Sequence, residues 1–185
     1  MPLPKPELER ELLHTRTISI HGYRRSDALW DVEGRLTDQR TQDVHFPGRV
    51  QRGGEPIHDM SIRLTVDATG LIVGIVAVTD IGPFQGVCGA IAPAYESLNG
   101  VRVGPGFRST INKRFAGVLG CTHMTELLLA MGTGVIQTLV GSITHPADVK
   151  PFSLDGCHAF DTTGPVVAEF HPRWYRPLPL AEPET

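Results

Sequence analysis

The feature that most constrains this chain is a stretch of alternation. Met60, Ile62, Leu64 and Val66 are apolar, and Ser61, Arg63, Thr65 and Asp67 between them are polar. A period of two places the two sets on opposite sides of an extended backbone, so the segment reads as a half-buried strand. Asp67-Ala68-Thr69-Gly70 supplies turn residues, and the more apolar run Leu71–Val78 follows. Together they predict a β-hairpin.

Other segments are arranged around that hairpin. Thr15–Arg25 is a strand candidate, with Thr17, Ile18, Ser19 and Ile20 β-prone and Gly22 marking its end. Ala28–Thr41 reads as a second strand whose polar and apolar residues interleave only in part, which leaves its register open. Gln42–Pro56 is a polar loop rich in glycine and proline. Three helical segments are expected beyond the hairpin. Gly86–Leu98 is shortened by Pro93, Gly106–Leu119 follows, and Thr122–Met131 extends toward Ser142, with Gly132 and Gly134 kinking or interrupting it. From Thr144 the chain is Pro-rich and irregular, with a turn at His145-Pro146 and one strand at Val166–Phe170. The expected class is α+β: an antiparallel sheet with helices packed on one face. One domain spans residues 1–185, made of a lead-in (1–13), N-terminal strands and loop (14–56), a hairpin-plus-helices core (57–143) and an irregular tail (144–185).

Composition narrows the function classes. A net charge of −3 carries no electrostatic footprint for nucleic acid. No apolar run reaches membrane-spanning length, and the polar Met1–Arg10 segment is not a signal peptide. Three cysteines without disulfide-scaffold spacing point to a reducing compartment, the cytoplasm. Nucleotide-cofactor fingerprints, phosphate loops and Ser-centred nucleophile elbows are absent from the sequence. These points favour a small-molecule substrate, with no nucleic-acid or membrane partner and with homo-oligomer formation left open.

Chemistry-bearing residues concentrate in Gly120-Cys121-Thr122-His123-Met124-Thr125-Glu126, which opens the apolar helix with a thiol, an imidazole and a carboxylate. A helix N-terminus favours the thiolate, the form that ligates metals and attacks carbon. His58-Asp59 precedes the first hairpin strand, and Cys88 follows the second in a Gly-Val-Cys-Gly turn. A strand start, a strand exit and a helix start can meet at one end of a sheet. His58, Cys121, His123 and Cys88 are therefore the candidate ligands of a divalent transition metal, zinc or iron, held by nitrogen and sulfur. Cys121 and His123 converge only if Cys121 stays in the preceding loop while His123 occupies the first turn. Glu126, Asp59 and Cys121 are the candidate catalytic groups, the carboxylates as proton carriers and the thiol as an alternative nucleophile. The other reading is a packed cysteine beside a hydrogen-bonded histidine.

A second constellation lies N-terminal, at His14-Thr15-Arg16, Tyr23-Arg24-Arg25-Ser26-Asp27 and Trp30-Asp31-Val32-Glu33. Guanidinium forks beside a phenol suit a carboxylate or phenolate, which makes Tyr23, Arg24, Arg25 and Arg63 candidate substrate-binding residues. Ordinary cross-strand ion pairs explain the same charges.

Two resemblances are carried by these residues. Leu13-His14-Thr15-Arg16, Gly22-Tyr23-Arg24-Arg25-Ser26-Asp27, His58-Asp59-Met60 and Gly120-Cys121-Thr122-His123 are similar to a bacterial family classed as of unknown function. Residues from Gly54 to about Leu129 resemble the iron–sulfur cluster scaffold fold, in which three cysteines and an aspartate surround the cluster. His58 before Ile62-Arg63-Leu64, Val87-Cys88-Gly89 before an Ala-rich segment closed by Gly100, and Cys121 with Glu126 five residues on match that pattern. His58 stands where that family has a cysteine, Met60 where it has its aspartate, and His123 has no counterpart. The resemblance therefore implies a retained fold holding a single metal, or a metal-free pocket, at the same place.

The leading expectation is a metal-dependent enzyme acting on a small organic molecule by hydrolysis or lysis, with no nucleotide cofactor. Alternatives are a non-enzymatic carrier of metal, sulfur or a cluster, and a metal-free cysteine enzyme with His123 or His58 as base.

Overall fold

The apolar alternation continues across neighbouring strands to build one sheet. In the computed structural model, which describes residues 3–142 and 148–178, β1 (His14–Arg24), β2 (Trp30–Arg40), β5 (Pro56–Val66) and β6 (Ile72–Ile81) form a four-stranded antiparallel sheet in the order β1-β2-β5-β6. The loop expected over Gln42–Pro56 contains a small second ladder, β3 (Val44–Phe46) with β4 (Arg49–Gln51). Pro47-Gly48 turns the chain between them, and Gly48 takes the left-handed backbone conformation such a turn requires (φ +78°).

Register assigns the faces. Trp30, Val32, Gly34, Leu36 and Asp38 on β2 stand in line with Val66, Leu64, Ile62, Met60 and His58 on β5. The apolar members of these two rows are buried. Asp31, Glu33 and Arg35, with Arg63 and Thr65 opposite, point to the other side.

The inner face is covered by helices, as the α+β reading expects. α2 (Thr122–Leu139) lies across β1, β2 and β5, and α1 (Phe107–Phe115) packs on α2. Met124, Leu127, Leu128, Met131, Val135 and Leu139 recur at helical spacing and are buried. Gly132 and Gly134 do not interrupt α2, which runs through both. Their role is close approach: a Cβ on Gly134 would come within 2.6 Å of Ile20, and one on Gly132 within 3.1 Å of the Phe107 ring. The Gly86–Leu98 segment is a run of 3-10 turns over Cys88–Leu98 packed on β6, not an α-helix. Pro93 lacks the amide hydrogen and crowds the preceding turn.

The chain divides into two compact units, Met1–Val140 and Gly141–Thr185. In the second, the segment read as a strand at Val166–Phe170 is instead a short helix, α3 (Pro165–Phe170). Pro165 presets φ at its first position, and the Ala168 amide donates to the Gly164 carbonyl. The turn expected at His145-Pro146 lies outside the described residues.

Among the described residues helix and sheet touch most tightly at Gly22, where an added Cβ would fall 2.0 Å from the Thr138 Oγ1 and 2.8 Å from its Cβ. Gly22→Ala is expected to lower stability by about 1–3 kcal/mol through overpacking. Urea unfolding measures it, and a neutral or stabilising result would contradict this seating of α2.

Candidate metal centre

At one end of the sheet the inner face changes from apolar to charged. The row Ile18–Leu36–Met60 is followed by Arg16–Asp38–His58, direct neighbours across β1, β2 and β5. Neighbours in such a row have Cβ atoms about 4.5–5.5 Å apart, so their side chains meet. Asp38 is 4% exposed and lies at the centre. Arg16 clamps it with two bonds, Nε to Oδ1 and a terminal nitrogen (Nη2) to Oδ2, both 2.8 Å. His14 Nε2 lies 2.9 Å from Oδ1, and His58 Nδ1 lies 3.1 Å from Oδ2.

α2 lowers the remaining groups onto this row. Cys121 is its N-cap residue with extended backbone, and His123 is in the first turn, the arrangement that convergence requires. Buried Tyr95 fixes that helix start, since its hydroxyl accepts from the Cys121 amide at 2.9 Å and donates to the Cys121 carbonyl at 3.2 Å. His123 Nε2 then lies 3.5 Å from Asp38 Oδ2, and the His123 ring stacks on His58 with centroids 3.7 Å apart. One turn on, Glu126 is ion-paired with the other terminal nitrogen (Nη1) of Arg16 at the rim.

Among the described residues, Asp38, His58 and His123 are the group of three whose ligand atoms all lie within 4.8 Å of one another. An ion held by bonds of about 2.0–2.2 Å needs ligand atoms roughly 3.0–3.6 Å apart, and the Asp38–His58 and Asp38–His123 separations fall in that range. The structure thus brings His58 and His123 together, as the sequence suggests, and adds Asp38, which sequence reasoning missed. Cys121 is placed differently. Its Sγ lies 3.8 Å from Nδ1 of His123, the ring nitrogen away from Asp38, and 3.9 Å from the Met60 sulfur. It touches the far side of the imidazole, where it would be the partner of the Nδ1 proton were Nε2 to hold an ion. Cys88 opens the 3-10 stretch beside Gly82 and Thr79 and is not in the group.

Asp59 lies across the sheet from His58, because successive strand residues face opposite sides. It is bound there by Arg35 through two bonds of 2.8 and 2.6 Å. Arg63 pairs with Glu33 on that same outer face, and Tyr23 shares it, standing opposite Asp31. That face carries a concavity of about 420 Å³ lined by Ser19, His21, Arg35 and Arg63, separate from the Asp38 group. Arg25 is paired with Asp27 and Asp31. Arg24 and Tyr23 sit at the other end of β1, eight and seven residues from Arg16, about 26 and 23 Å along the strand.

The electrostatics of the cluster follow from burial and pairing. Burial pushes the Asp38 carboxyl up, but the Arg16 and His14 hydrogen bonds and the Arg16 charge outweigh it, holding it at about 2. Burial lowers His58, assisted by the neighbouring His123, and lowers His123 as well. Both imidazoles therefore favour the neutral, metal-binding form.

In metal-free protein the unfolded chain takes up protons on these histidines near the ordinary value of 6.5 before the folded chain does. Stability is then full above that value and falls as pH drops through and below it, and a second loss begins below 3.8 as Asp38 protonates. Urea midpoints between pH 8 and 5 should fall on the acid side. His58→Gln with His123→Gln should flatten the slope, and an unchanged slope in that variant would refute the assignment.

Residues 14–137 match the family described as "Protein of unknown function (DUF2889)", and the chain belongs to that family. Arg16, Asp38, His58, Cys121, His123 and Glu126 all lie inside the matched span. Neither a curated protein nor a solved structure matches the chain.

Proposed function

We propose that this member of the DUF2889 family binds a divalent transition metal through Asp38, His58 and His123 and is a metal-dependent enzyme, a hydrolase or lyase, acting on a small organic molecule. The observation that carries the reading is the meeting of one buried carboxylate and two imidazoles, drawn from β2, β5 and α2, at an accessible end of the sheet. Three protein ligands leave coordination positions open, as catalytic sites do and closed structural sites do not. Two nitrogens and one carboxylate suit zinc, and also iron as a facial triad. Neutral imidazoles present little proton competition to the metal near pH 7. The metal would polarise a substrate oxygen or lower the pKa of bound water, and Glu126 at the rim is the group placed to carry a proton.

A second reading follows from one observation. Arg16 takes two of the roughly four acceptor positions of Asp38, and His14 and His58 take the others. Saturated in this way, the cluster is a metal-free acid–base site. A metal must displace the Nδ1 contact of His58 to enter.

Elemental analysis separates the two. Purified or zinc-loaded protein should carry stoichiometric metal. Asp38→Ala, His58→Ala and His123→Ala should each lose it while remaining folded by circular dichroism. Cys88→Ser and Arg24→Glu should keep it, and Cys121→Ala should keep it with affinity about 10–100-fold weaker, the effect of removing a partner that orients a ligand. Absence of metal from the loaded wild-type protein, or undiminished metal in the His58→Ala/His123→Ala protein, would leave this cluster with the metal-free reading.

A further inference from the structure

Beyond the ligands themselves, the cluster contains a guanidinium whose donors are only partly used. Arg16 has five N–H groups. Asp38 takes the Nε hydrogen and one Nη2 hydrogen, and Glu126 takes one from Nη1. One hydrogen on each terminal nitrogen is left without a partner among the described residues, on a side chain that is 32% exposed. The buried carboxylate therefore holds the guanidinium in one orientation while its outer donors face solvent. Outer donors of this kind suit an anionic oxygen, which makes a charge-assisted bond to a guanidinium N–H.

Charge points the same way. With the histidines counted neutral, Asp38 and Glu126 contribute two negative charges, and Arg16 with a divalent ion contributes three positive ones. The loaded site has a surplus of one positive charge that a monoanion would neutralise. Geometry adds a third constraint. Arg16 Nη2 and the ion would share Asp38 Oδ2, which places them within about 5 Å of each other. One carboxylate would span that gap, with one oxygen toward the metal and the other accepting from the guanidinium. Glu126 is then the native occupant of the Nη1 side, a carboxylate that an incoming anion must share or displace.

We infer that the substrate of this site is a small carboxylate, bound between the metal and the outer donors of Arg16. This rests on the metal reading above and assigns the anion-binding role to Arg16, not to Tyr23, Arg24 and Arg25 at the far end of β1.

The test uses cobalt-loaded full-length protein and two probes, glycolate and its neutral amide, glycolamide, followed by the visible cobalt bands. Glycolate should shift the bands of the wild-type protein, with glycolamide weaker. At saturating cobalt, Arg16→Lys should weaken glycolate about tenfold by removing the planar fork, the equivalent of one charge-assisted bond, and leave glycolamide unchanged. Glu126→Gln, which removes the competing carboxylate and leaves Asp38 clamped, should strengthen glycolate several-fold. Failure of cobalt to bind would overturn the metal reading and this inference together. Cobalt uptake with glycolate affinity unaltered by Arg16→Lys and Glu126→Gln would overturn this inference alone.

Discussion

The structure at this end of the molecule depends on the compensation of one buried charge. Asp38 extends the apolar inner row of β2, under a helix, where an uncompensated carboxylate would be expelled or protonated. Arg16 on one side and His58 on the other reach it from adjacent strands, so compensation requires the register of β1, β2 and β5 to be right to the residue. A slip of one position in any of these strands would send its member of the cluster to the opposite face. Breaking such a pair by removing one partner costs about 3–5 kcal/mol, more than the pair itself is worth over an apolar replacement. The cluster is thus better understood as a device for specifying register and presenting polar atoms than as a source of stability.

Much of this was legible in the residues, and the gaps have physical causes. The alternation over Met60–Val66 identifies β5, and the leucine-rich run after Glu126 identifies the helix that covers it. His58 and His123 follow from position, since a strand start and a helix start can meet at one sheet end. Asp38 escaped because the row that contains it, Trp30-Val32-Gly34-Leu36-Asp38, is broken in the middle by a glycine, which hides the period of two. That glycine exists for packing: a Cβ there would fall 2.6 Å from the Met131 sulfur. Asp59 shows the converse. It attracts attention beside His58, yet the alternation that defines the strand already puts neighbours in sequence on opposite sides of the sheet. Which edge of an imidazole a thiol touches, as at Cys121, depends on side-chain rotation and leaves no mark in spacing.

The ion pairs on the outer face follow the ordinary logic of cross-strand charges. Arg35 with Asp59 and Arg63 with Glu33 join residues on adjacent strands of the outer face. The Arg63–Glu33 pair is exposed and contributes little to stability, whereas Asp59 is itself buried and relies on Arg35 for its partner. The Asp38 cluster differs because its buried carboxylate is met by two stacked imidazoles as well as a guanidinium.

The cluster is also divided between two layers. Arg16, Asp38 and His58 are held by strand hydrogen bonds and move as one, whereas His123 comes from above, at a height set by the contacts of α2 on the glycines beneath and within it. Interlayer spacing is therefore the coordinate that opens or closes the group of three. A side chain that thickened the contact by a methyl group, even two turns along the helix, would lift His123 from Asp38 without touching either. Conversely, anything bound by all three residues would stitch helix to sheet, so occupancy and layer separation would be thermodynamically linked.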